Sequence, residues 1–80
     1  MTLKDFVYLD EIQQKEALCD GTHIATRYDE YHSILLYQIE GFYVEVFYHR
    51  EHNMIRRFKP FKSVERLRPY LRQIDISALI

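Results

Sequence analysis

The chain is short of the residues that cross-link, break or anchor a fold. Its 80 residues include one cysteine, two glycines and two prolines. A lone Cys19 forbids an intramolecular disulfide, so nothing marks the chain as a disulfide-stapled secreted domain. So few glycines and prolines argue for regular elements joined by short connections. With only Gly21 and Gly41 available, a glycine-rich phosphate loop is excluded. No apolar run is long enough to span a bilayer, and Lys4 and Asp5 interrupt the apolar start where a signal peptide needs continuity. The expectation is a soluble, cytoplasmic protein that does not engage a membrane. Repeats, low-complexity segments and linkers are absent.

What is present is apolar and aromatic. Hydrophobic residues make up 48% of the chain and seven Tyr and five Phe add ring surface, a composition that excludes disorder. One domain over residues 1–80 follows from length, near the lower limit for folding without staples. A core of that size leaves roughly 3–5 kcal/mol of net stability, so extra burial in a dimer would count. Charge is split along the chain. Residues 1–46 hold three basic residues against nine acidic ones, and residues 47–80 hold eight against three. Such a split suits either a basic face for an anionic partner or two halves, or two subunits, that neutralise each other.

The chain is organised around Leu35–Tyr48, which reads as two strands joined at Glu40-Gly41. Both flanks are rich in β-branched and aromatic residues, and Gly41 sits where a tight turn needs positive φ. Ile39 facing Phe42 pairs Tyr37 with Val44 and Leu35 with Val46. One face then carries Leu35, Tyr37, Ile39, Phe42, Val44, Val46 and Tyr48, the expected core. The other carries Ile34, Leu36, Gln38, Tyr43, Glu45, Phe47 and His49.

Upstream, Asp10 with Gln13 forms a capping-box pattern and Gly21 a stop, predicting a helix over about residues 9–20. Thr2 and Asp5 offer an earlier start. Tyr8, Leu9, Ile12 and Cys19 share one side of that helix and are its expected buried stripe. Thr22–Tyr28 alternates as a first strand. Met54–Phe61 is a fourth, entered through Asn53, a residue that tolerates a left-handed backbone. Setting Val46 against Phe58 and Glu45 against Lys59 joins apolar to apolar and opposite charges. Pro60 belongs at an edge. Ser63 caps a closing helix with Glu65 in its first turn. Its stripe is Val64, Leu67, Leu71 and Ile74, with Pro69 as a kink or restart. Ile76, Ala78, Leu79 and Ile80 form an apolar tail.

The predicted architecture is α+β: an N-terminal helix, a four-stranded antiparallel meander and a C-terminal helix, in two layers. Both helices cover one sheet face, leaving Leu36, Tyr43 and Phe47 uncovered on the other.

Leu36-Tyr37-Gln38-Ile39-Glu40-Gly41-Phe42-Tyr43-Val44-Glu45-Val46, then Phe61-Lys62-Ser63, Leu67-Arg68-Pro69-Tyr70-Leu71 and Ile74-Asp75-Ile76, resembles a family of short bacterial proteins of unknown function. The likeness spans most of residues 20–78. It implies a stand-alone bacterial domain and carries over no catalytic or binding residue.

Catalytic and metal chemistry find little support. His49 and His52 flank a hairpin loop, and two imidazoles fall short of the three or four ligands zinc takes. Cys19 lies on the expected buried stripe, where cysteine behaves as a small hydrophobe. Ser63 is accounted for by capping. No catalytic residue, metal or cofactor is expected, and the chain reads as a non-enzyme. Two binding readings remain. Leu36, Tyr43 and Phe47 would form the interface of a homodimer or of another protein contact. Alternatively, Arg56, Arg57, Lys59, Lys62 and Arg66, with Tyr43 and Phe47 on the neighbouring strand, could bind RNA or single-stranded DNA as an accessory protein. A calculated pI of 6.4 favours the protein-contact reading.

Overall fold

A computed structural model describes residues 1–73. Two short helices, α1 (Leu3–Val7) and α2 (Glu11–Cys19), precede four strands, β1 (Thr22–Tyr28), β2 (His32–Ile39), β3 (Phe42–His49) and β4 (Met54–Phe61). A closing 3-10 helix, Val64–Tyr70, follows. The strands form one antiparallel sheet in chain order, the expected α+β meander. The apolar tail Ile76–Ile80 and Ile74 of the expected stripe lie outside the described residues. Among the described residues, no helix is long and apolar enough to cross a membrane.

Both anticipated helix starts are used. Thr2 Oγ1 accepts from the Asp5 amide at 3.2 Å, and Asp5 returns a carboxylate to the Thr2 amide at 2.9 Å. Asp10 and Gln13 form a second reciprocal box at 2.8 and 3.1 Å. Asp10 is extended, so the chain breaks there into two helices instead of one. That break shifts the helical phase. Tyr8 and Ile12, expected to be buried, are 79% and 69% exposed, and Phe6 and Leu18 face the sheet instead. Cys19 is exposed as well.

The registers agree with the sequence. Ile39 pairs with Phe42, Tyr37 with Val44 and Leu35 with Val46. Val46 pairs with Phe58 and Glu45 with Lys59. At the tight turn, however, Glu40 carries the positive φ (42°) while Gly41 does not. Glu40 Oε2 also meets the N-terminal amine at 2.8 Å in an exposed ion pair. Asn53 takes the left-handed conformation (φ 55°) as expected.

Two apolar clusters lie on opposite sides of the sheet. Phe6 and Leu18 pack on Ile39, Phe42, Val44 and Val46. Phe6 sets its ring 5.8 Å from Phe42 and 6.2 Å, edge-on, from Phe58. On the opposite face, Leu67 and Tyr70 of the closing helix pack on Ala25, Leu36, Tyr43 and Phe61. The helices are therefore divided between the two faces. The closing helix differs from the expected stripe for a geometric reason. Pro69 has no N–H to donate to a carbonyl four residues back, and the segment takes the tighter three-residue period. Leu67 and Tyr70, three apart, are buried together, while Val64 and Leu71 stand 49% and 45% exposed.

Candidate functional site

The three residues expected on an uncovered face are not exposed together. Leu36 is fully buried and Tyr43 is 7% exposed, both beneath the closing helix. Phe47 is half-buried, with the Arg57 guanidinium 4.7 Å above its ring. Contrary to expectation, this face is covered from within the chain, by Leu67 and Tyr70. The stripe chosen for an α-helix concealed Tyr70, the side chain that does much of the covering.

Beneath Tyr70 lies a polar cluster that alternation alone did not reveal. Glu45 is 5% exposed. Its Oε2 accepts from the Tyr70 hydroxyl at 2.7 Å and from Arg27 Nη2 at 3.2 Å. Arg27 Nε also donates to Tyr70 Oη at 3.2 Å. Each member has a partner, as a buried carboxylate requires. Burial, and then the hydrogen bond to Glu45, push the Tyr70 hydroxyl well above the usual tyrosine range. This cluster joins β1, β3 and the closing helix and reads as structural.

An open apolar surface lies on the face that α1 and α2 cover. An α-helix of nine residues spans about 13 Å, whereas an eight-residue strand spans about 26 Å. The two short helices therefore leave part of the sheet uncapped. There a groove of about 320 Å³ is lined by Lys15, Leu18 and Cys19 of α2 and by Leu35, Tyr37, Val46, Tyr48 and Ile55 of β2, β3 and β4. Val46 is buried, while Leu35, Tyr37, Tyr48 and Ile55 are half-buried. The sequence placed Leu35, Tyr37, Val46 and Tyr48 on one face. It did not show that α1 and α2 would be too short to cover them.

Of the basic residues, Arg56, Arg57, Lys62 and Arg66 are exposed, and Lys59 is half-buried. Among the described residues none of the five forms an ion pair. Arg57 and Phe47 are brought together, but Tyr43 is withdrawn beneath the closing helix. The aromatic platform expected for stacking bases is thereby reduced to a ring already covered by a guanidinium.

Three histidines gather at the far end of the sheet. His32 and His49 are register partners with rings 5.5 Å apart, and His52 stacks on His49 at 4.3 Å. Asp29 holds His32 Nδ1 at 3.1 Å, and His49 Nδ1 accepts the His52 amide at 3.1 Å. Desolvation, with positive charge from His52, Arg56 and His32, pushes His49 below the usual histidine range. Among the described residues no three His, Cys, Asp or Glu side chains are arranged to hold a metal ion.

Comparison with protein-family models, with curated proteins and with solved structures finds no match to this chain.

Proposed function

We propose that the protein is a non-enzymatic domain that acts through protein contacts, as a homodimer, and that the groove beside α2 is its contact surface. The observation that carries this reading is the groove itself. Its volume of about 320 Å³ is at the lower end of the range of about 300–1,000 Å³ for binding pockets, and its walls are mainly aliphatic and aromatic. A second copy is the favoured occupant for two reasons. Val7 at the end of α1, Tyr8 just after it and Ile12 on α2 are exposed and offer side chains to fill such a groove. The acidic first half and basic second half of the chain also complement each other between copies. Each large apolar side chain buried there contributes roughly 1.5–3 kcal/mol, a large share of the stability of so small a domain.

Light scattering across a dilution series tests this. The expected result is a salt-resistant mass near twice 9.8 kDa, reduced to a folded monomer by Leu35→Asp or Tyr48→Ser. A monomer at every concentration overturns it. A second reading, an accessory protein for RNA or single-stranded DNA, is supported by the exposed Arg56, Arg57, Lys62 and Arg66 along β4 and the closing helix. A heavier complex that forms only with added RNA at low salt, and is lost on replacing Arg56 and Arg57, would favour it.

A further inference from the structure

We propose that Gln73 is a plug on the outer edge of β1, and that this edge, once freed, docks β1 of a second copy in an antiparallel pair. The contact is separate from the groove and does not rest on it.

Among the described residues the sheet has four strands and two edges, β1 and β4. Each presents backbone N–H and C=O groups that invite another strand. β4 is guarded by its own sequence. Pro60 offers no donor, and Arg56, Arg57 and Lys59 line the strand with like charge. β1 reads Thr-His-Ile-Ala-Thr-Arg-Tyr, with no proline and one formal charge. That charge, Arg27, is held by Glu45 and Tyr70 of its own chain. Two β1 strands would therefore meet without the repulsion that protects β4.

What guards β1 instead comes from 47 residues away. The Gln73 carboxamide accepts from the Thr26 amide at 2.8 Å and donates its Nε2–H to the Thr26 carbonyl. These are the two bonds an antiparallel neighbour makes with a hydrogen-bonded residue. A primary amide carries the same donor and acceptor as a peptide group, so Gln73 stands where a paired strand would place its backbone. It is held there by the turn that leaves the closing helix, in which the Gln73 amide donates to the Tyr70 carbonyl at 2.8 Å. Tyr70 is itself fixed by Glu45. The register shift between His23 and Ala25 interrupts the β1 ladder and leaves Ala25–Tyr28 as its longest uninterrupted stretch, and Thr26 lies within that stretch.

Gln73→Ala removes the plug while leaving the buried residues alone. At high concentration the variant is expected to associate at least tenfold more tightly than the wild type by sedimentation. Adding Thr26→Pro, which deletes the outward-facing donor at an edge position where proline is tolerated, should abolish the gain. Amide exchange supplies a readout that does not depend on the proline variant. Thr26 in Gln73→Ala should exchange at least tenfold faster than wild type in dilute solution and regain protection as concentration rises. An unchanged mass overturns the proposal, as does a rise in mass that leaves Thr26 unprotected or persists in a folded Thr26→Pro variant. Repeating the comparison with Tyr48→Ser separates the edge from the groove: Tyr48 lines the groove from β3 and does not pair with β1, so the edge contact should survive that change.

Discussion

Replacing Tyr70 with Phe would remove one oxygen from the buried polar contact that joins β1, β3 and the closing helix. The hydroxyl donates to Glu45 at 2.7 Å and accepts from Arg27 at 3.2 Å, and the Glu45 carboxylate is almost wholly buried. A hydrogen bond to a charged group contributes roughly 1.5–3 kcal/mol. Ring burial is retained, so the loss should come from the hydroxyl alone. In a domain expected to hold roughly 3–5 kcal/mol in total, that is about 30% of the stability or more. With a urea dependence of about 1 kcal/mol per molar for so small a protein, the midpoint should fall by about 1.5–3 M. Urea titrations of wild type, Tyr70→Phe, Glu45→Gln and the double variant close a cycle. The coupling between the two sites should reach about 1 kcal/mol or more. A midpoint shifted by less than about 0.3 M, or no coupling, would refute the view that Glu45 depends on Tyr70. The same contact has a pH signature. Because Tyr70 titrates above its ordinary value near 10, its contribution is complete below that value and is lost as pH rises beyond it. Tyr70→Phe should lose this alkaline component of unfolding.

Two further predictions concern the loop between β3 and β4. Asn53→Ala should cost about 1–2 kcal/mol because alanine resists the left-handed backbone, whereas Asn53→Gly should cost less although it loses the same bond from Tyr48; thermal melts compare the two. His49 binds its proton less readily in the fold than in the unfolded chain, so its contribution is present above the ordinary value near 6.5 and is lost as pH falls below it. Protonating Nδ1 also abolishes its bond from the His52 amide. Stability measured from pH 8 to 5 should fall less steeply in His49→Gln.

The sheet was legible because its rules are local. Alternation fixed both faces of the central hairpin, and a slip of one residue would have set Val46 against Arg57, so register followed from the core. Asp10, Ser63 and Asn53 were readable because capping and left-handed turns depend on one side chain and its immediate neighbours. The helices were harder. The phase of a stripe needs an unbroken helix, and Asp10 resets it, which left Tyr8 and Ile12 in solvent and brought Phe6 and Leu18 to the core. In the closing segment Pro69 shortens the period, so an α-helical stripe selects Val64 and Leu71 and skips Tyr70. That substitution also misplaced the open surface, since Tyr70 and Leu67 cover Leu36 and Tyr43. Glu45 looked like an ordinary charge opposite Lys59, and its partners Arg27 and Tyr70 lie 18 and 25 residues away. Pairings at such distances leave no periodic trace.

The division of helices between the two faces has a consequence for synthesis. The meander pairs each strand with the one made just before it, an order suited to rapid, progressive folding. One side of that growing sheet receives its cover early, from α1 and α2. The other must wait for Leu67 and Tyr70, made after all four strands. Until they emerge, Leu36 and Tyr43 lie bare and Glu45 lacks its hydroxyl partner, so a stalled chain would present a finished sheet with one sticky side. Among the described residues, Leu67 and Tyr70 are thus the late-made side chains that close this face against neighbouring chains.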